Sequence, residues 1–282
     1  MKTVVRLGIA LLLVLFGLFS YCNNTVKNPV TGESQQIHLS PNQEVTLGLQ
    51  AKGKMTEQYG GLYPDQILQQ YIDQVGKRVV QRSSAAKAPY PYRFHVLRDP
   101  HTINAFALPG GQIFITAGLL GQLTSEAQLA GVLAHEVGHV VGRHGAEHLA
   151  KQQLGQVLVT AVAVAASDDQ GEEKEAEAIA QAVNQLVNLR YERDDELESD
   201  RLGFRFMTEA GYDPEGIVEV MQILGSARQS GQPPAFFSTH PSPDNRVKRL
   251  QELIATTYPK GIPSNLSDGR QQFAQMVKAR LQ

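Results

Sequence analysis

The chain has 282 residues, 42% of them apolar, and 26 basic against 28 acidic side chains leave a net charge of −2. That length suits one ordinary domain with appendages. The near balance of charge, without any basic run, excludes a general nucleic-acid binder and a phosphate-tracking surface.

Residues 1–21 read as an export signal. Lys2 and Arg6 form a basic start, and Leu7 to Phe19 form an apolar run of 13 residues, shorter than the roughly 20 that a membrane span needs. The only cysteine, Cys22, follows directly. An unpaired thiol is a liability in an oxidising compartment. The run Phe19-Ser20-Tyr21-Cys22 resembles a bacterial lipobox, with Tyr21 where a small residue is usual, and this implies lipid attachment at Cys22. Residues 22–40 are polar, with Asn-Pro and Thr-Gly turn signals, and the expectation is a tether with little structure of its own. The folded domain spans residues 41–282.

Apolar periodicity predicts helices over 41–59 and 64–82, the second with Ile67, Leu68, Tyr71, Ile72, Val75 and Val79 on one face. Between 92 and 116 the period shortens. Phe94 to Leu97, Asn104 to Leu108 and Gln112 to Thr116 read as strands, the last two joined by the turn Pro109-Gly110-Gly111, so a small antiparallel sheet is expected. Such a sheet can offer an edge to an extended peptide or be purely structural. Residues 154–166 are a second apolar stretch, read as a buried or partly mobile helix, and the acidic residues 168–177 as a solvated segment.

The chemistry centres on His135-Glu136-Val137-Gly138-His139, an H-E-x-x-H spacing. Thr124-Ser125 supplies a helix-capping hydroxyl, and Leu129, Val132, Leu133, Val137 and Val140 recur at helical spacing. On that helix the two imidazoles lie about 40° apart around the axis, able to share one Zn²⁺ with Glu136 beside it. A lone histidine here would more often be a packed core residue. The pair with its glutamate points instead to metal-assisted hydrolysis of a protein or peptide.

A third ligand must come from elsewhere. His144 would sit about 140° from His139 on a continuing helix, off the metal face, as a surface residue or one layer behind. Downstream, Glu192, Glu196 and Asp200 share one helical stripe. Acidic clusters are usually solvated, but Leu197, Leu202, Phe204 and Met207 make this helix amphipathic, so part of the stripe approaches the core.

In this setting Glu196-Leu197-Glu198-Ser199-Asp200 resembles the E-x-x-A-D element of the zinc metallopeptidase family that includes HtpX, the CAAX prenyl endopeptidase and a periplasmic branch of BepA and LoiP type. Ser199 stands where that family usually has Ala. Asn104 to Gly111, Ala210-Gly211-Tyr212-Asp213-Pro214 and Ser238-Thr239-His240-Pro241-Ser242 resemble further family segments, together covering about residues 45 to 255. The resemblance implies a mainly helical α+β domain of gluzincin type. It implies His135, His139 and Glu196 as zinc ligands and Glu136 as general base toward a zinc-activated water. Asp200 would orient a ligating histidine, and His240 and Arg246 would belong to the catalytic machinery. For His240 four roles stay open: surface residue, oxyanion donor, substrate contact or extra zinc ligand. Arg246 would orient the same loop. The implied setting is the bacterial envelope, the chain facing the periplasm and cleaving misfolded or envelope proteins. The competing reading is an envelope assembly factor or chaperone that keeps the fold and cleaves little.

Overall fold

A computed structural model describes residues 2–23, 25–154, 181–182, 184–186, 189–229, 234–241 and 245–281. Most of the segments read above as 154–166 and 168–177 lie outside the described residues.

Helix α1, Lys2–Asn23, carries the apolar run with most of its leucines and both phenylalanines exposed. Among the described residues no helix is long and apolar enough to cross a membrane. The polar segment after it is not an unstructured tether. Strands β1 (Thr25–Lys27) and β2 (Ser34–Gln36) pair as an antiparallel hairpin. Asn28 holds its turn by accepting from the Val30 and Thr31 amides, and Asn28 and Gln35 are buried against the domain. Their amides satisfy backbone carbonyls there, which a reading of polar composition cannot see.

Helices α2 (Pro41–Gln58) and α3 (Gln66–Gln81) follow, started by Ser40 and Asp65, whose side chains accept from the first free backbone amides. Strands β3 (Arg93–Leu97), β4 (Ala105–Leu108) and β5 (Gln112–Thr116) form a three-stranded sheet in the order β3-β5-β4. The expectation of an antiparallel sheet holds for β4 with β5, but β3 runs parallel to β5. The reason is the path of the chain: β4 lies between β3 and β5 in sequence but is placed outside them. The β4–β5 turn uses Gly110 at φ 78°, where a side chain would also strike the Val45 backbone of α2.

A short helix α4 (Ala117–Gln122) leads to α5 (Glu126–Val141), capped by the Ser125 hydroxyl on the Gln128 amide. Every residue of α5 is buried, as expected for the central helix of a layered domain. A turn at 142–143 starts a further helix over 144–154, α6. Helix α7 (Arg193–Glu209) crosses α5 closely: a Cβ on Gly138 would press on Ser199, and one on Gly203 on the His135 backbone. Small residues at both crossing points bring Glu196 and Asp200 within reach of the motif histidines. Helices α8 (Glu215–Gln229), α9 (Phe236–Thr239), α10 (Arg246–Thr257) and α11 (Arg270–Phe273) complete the fold. The Phe236 amide, at the start of α9, donates to Ile103 O beside the outer strand β4.

Candidate metal centre

Four side chains from three places converge. His135 and His139 come from α5, Glu196 from the first turn of α7, and His240 from the residue after α9; one donor atom from each lies within 4.8 Å of the others. All are at most 2% exposed, which excludes the surface role for His240. His135 Nε2 and His139 Nε2 face each other at 3.1 Å. Glu196 Oε1 is 3.3 Å from His139 Nε2 and Glu196 Oε2 is 3.7 Å from His135 Nε2. His240 Nδ1 lies 2.9 Å from Glu196 Oε1. Donors about 2.0–2.1 Å from a tetrahedral zinc ion stand roughly 3.3 Å apart, so these spacings fit one such ion.

Glu136 lies on the same helix, with both carboxylate oxygens buried and without a hydrogen-bond partner. Its nearest charged neighbour is His240, with Nε2 3.6 Å from Oε1. A buried carboxylate without a hydrogen bond costs several kcal/mol, and it persists in native structures where function needs it. Burial pushes the Glu136 carboxyl above the ordinary range, with His240 and His135 opposing. Burial also tends to raise Glu196, but His240, His139 and Arg246 outweigh it and hold this carboxylate well below the usual value. His139 is held well below the usual imidazole value by burial, so its ring is neutral and free to act as a ligand.

Behind the cluster stands a charged pair. Arg246 donates from Nε and Nη2 to the two oxygens of Asp200, each at 2.6 Å, and from Nη1 to Glu196 at 2.6 Å. Arg246 therefore clamps the acidic residues of α7, and its partners are Asp200 and Glu196. Asp200 Oδ1 lies 3.0 Å from His135 Nδ1 along a bent path. Burial would raise Asp200, and Arg246 overrides it. His144 is buried rather than on the surface, its Nδ1 2.9 Å from His139 Nδ1. Glu192 and Glu198 stay outside the cluster.

Two rings were not singled out in the sequence. Tyr191 stacks on His139, with centroids 3.8 Å apart and planes at 17°, and Phe236 stacks on His240 at 4.2 Å and 12°. The Tyr191 amide donates to Thr239 O. Neither carries a local signal, since Tyr191 lies in a loop and Phe236 starts a four-residue helix.

A buried cluster of two motif histidines, a glutamate from a second helix and a glutamate without a hydrogen bond beside them defines the class as a metal-dependent peptidase domain. The chain belongs to peptidase family M48, whose family model matches residues 66–254. It is 31% identical over 245 residues to the beta-barrel assembly-enhancing protease of Escherichia coli strain K12, covering 84% of this chain and 49% of that protein. The protein of the same name in Yersinia pestis is 31% identical over 224 residues, or 78% and 45%. The mitochondrial metalloendopeptidase OMA1 of Schizosaccharomyces pombe is 31% identical over 185 residues, covering 65% and 52%. The chain thus spans about half the length of these relatives.

Proposed function

We propose that this M48 metallopeptidase is a zinc-dependent endopeptidase of the bacterial envelope that cleaves misfolded or envelope proteins. The observation that carries the reading is Glu136, buried and without a hydrogen bond on the helix that supplies two of the four converging donors. A purely structural metal site needs no such residue, which disfavours a non-cleaving assembly factor. Bound zinc would supply the Lewis acidity that polarises a scissile carbonyl and makes a water acidic. Glu136 then accepts the water's proton at a carboxylate oxygen and returns it to the leaving amine. A raised proton affinity suits that double duty. Asp200 steadies His135, and Arg246 holds Glu196 and Asp200 in place. The relatives named for beta-barrel assembly support the envelope setting.

The test is casein digestion alongside metal analysis of the purified protein. Glu136→Gln should keep one equivalent of zinc and lose at least about 10²-fold of the activity; full activity in that variant would sink the mechanism. His240 is proposed to take the fourth donor position at rest, which its distance to Glu196 supports. His240→Ala should then raise basal proteolysis. A fall of about 10²-fold at full zinc loading would assign it instead to stabilising the oxyanion.

The membrane reading rests on Cys22, which is exposed and follows the apolar run. An acyl chain there would tether the domain to the membrane. Radiolabelled palmitate should enter the wild type and be lost in Cys22→Ala, and an unlabelled wild type would show that no lipid is attached.

A further inference from the structure

Helix α5 ends in a turn that its own sequence does not favour. Arg143 adopts φ 56°, the only positive value at a non-glycine residue among those described, in a region that L-residues avoid. Several anchors hold it there. The Arg143 guanidinium donates to Glu44 and to Leu39 O at 2.7 Å. The Asn28 amide donates to Val141 O at 2.7 Å, and the Gln35 amide to Gly142 O. Strain that is over-determined by its surroundings is found where a function depends on it.

The turn returns the chain so that His144 lies behind His139 instead of 140° around the helix. His144 is 1% exposed. Its ring is nearly perpendicular to that of His139, at 79°, with Nδ1 facing Nδ1 at 2.9 Å. Its other nitrogen, Nε2, is 3.0 Å from Glu198 Oε2. A Cβ on Gly142 would collide with His144 Nε2, so the glycine preceding the turn leaves room for this ring.

We propose that His144 is a positioning residue for the metal centre, accepting the Nδ1 proton of His139 while Glu198 anchors its far side. The assignment follows from the hydrogen-bond inventory. His139 Nε2 faces His135 and Glu196, so its lone pair must point there for it to act as a ligand, and the ring proton then sits on Nδ1. Two facing Nδ1 atoms at 2.9 Å need one donor and one acceptor, which makes His144 Nδ1 the acceptor. The His144 proton is then on Nε2, where a carboxylate receives it. One tautomer of each ring satisfies the whole row from Glu198 to the metal face. Outer partners of this kind orient a ligand and increase its basicity.

The proposal rests on the reading of the cluster as a zinc site, and the test separates the two. The full chain in detergent is titrated with zinc against a chelator, as wild type, His144→Ala, Glu198→Ala and the double variant. Imidazole nitrogens are followed by NMR in the zinc-loaded protein. Wild type should bind one equivalent with a slowly exchanging Nδ1 proton on His139. His144→Ala should weaken zinc binding by about 10 to 100-fold and lose that proton signal. Glu198→Ala should weaken binding less and shift the signal, and the double variant should be no worse than His144→Ala alone. A wild type that binds zinc while both variants stay within about twofold of it, with the signal unmoved, overturns the proposal. Should His144→Ala fail to fold, Glu198→Ala decides by the same two readings, because Glu198 is partly exposed and outside the turn. A wild type without zinc would overturn the metal reading and this proposal with it.

Discussion

The two motif histidines stand one helical turn apart on α5, yet they are held by unlike means. Behind His135 lies fixed charge: Asp200 at 3.0 Å, itself gripped by Arg246 through two contacts of 2.6 Å. The backbone there is pinned as well, because Gly203 of α7 packs against the His135 amide. Behind His139 lies a second imidazole, with Tyr191 stacked on one face and a strained turn beneath. That turn is held by residues far away in sequence, Asn28, Gln35 and Glu44. Equal spacing in the motif therefore does not imply equal support. One ligand is fixed by an ion-pair network between adjoining helices, the other by backbone geometry imposed from the N-terminal hairpin and α2.

This asymmetry makes the two sides respond differently to loss of a partner. Arg246 is 2% exposed and neutralises Glu196 and Asp200 together. Replacing it in Arg246→Gln removes the guanidinium shared by two buried carboxylates, which costs about 3–5 kcal/mol. Urea unfolding of the metal-free protein should show a loss of that size. Glu198→Ala removes a carboxylate whose side chain is 15% exposed and leaves the buried Nε2–H of His144 without its acceptor, and the same measurement should register a smaller loss of about 1–3 kcal/mol. Equal losses from the two variants would erase the distinction between a charged side and a neutral one.

The parts legible in the sequence are those set by short-range pattern. The limits of α2, α3, β3, β5 and the motif helix follow to within about two residues from apolar period, helped at the motif helix by the capping hydroxyl of Thr124-Ser125. The stripe Glu196–Asp200 could be placed at the core boundary because Leu202, Phe204 and Met207 share its helix. What failed was non-local. The parallel pairing of β3 with β5 depends on β4 being laid outside them, and nothing within β3 encodes that. His144 does lie off the metal side, one layer behind, but its burial against His139 depends on the turn at Arg143, which helical period does not contain. The position of Arg246 six residues after His240 suggests that it orients the same loop, whereas the acids it grips lie 46 and 50 residues away. Polar residues 22–40 were read as a solvated tether because side-chain amides look alike in sequence whether they meet water or a buried carbonyl.

That hairpin supplies the sharpest check on the His139 side. Asn28 donates to Val141 O and to the Gln35 side chain, and accepts from two amides of its own turn. Gln35 reaches Gly142 O. These carbonyls terminate α5 and would otherwise go unpaired in the interior. Asn28→Ala should therefore lower stability by about 1–3 kcal/mol, the cost of unsatisfied buried polar groups, and Gln35→Ala by the lower end of that range. The location of the effect matters more than its size. Hydrogen exchange should quicken at the amides of Gly142, Arg143 and Glu147, which lie in or donate into the turn, while amides of α7 around Asp200 keep their protection. Loosening confined to the turn is what support from the hairpin requires. If exchange instead rose equally along α5 and α7, the hairpin would be an ordinary contributor to global stability, and the two histidines would share one undivided scaffold.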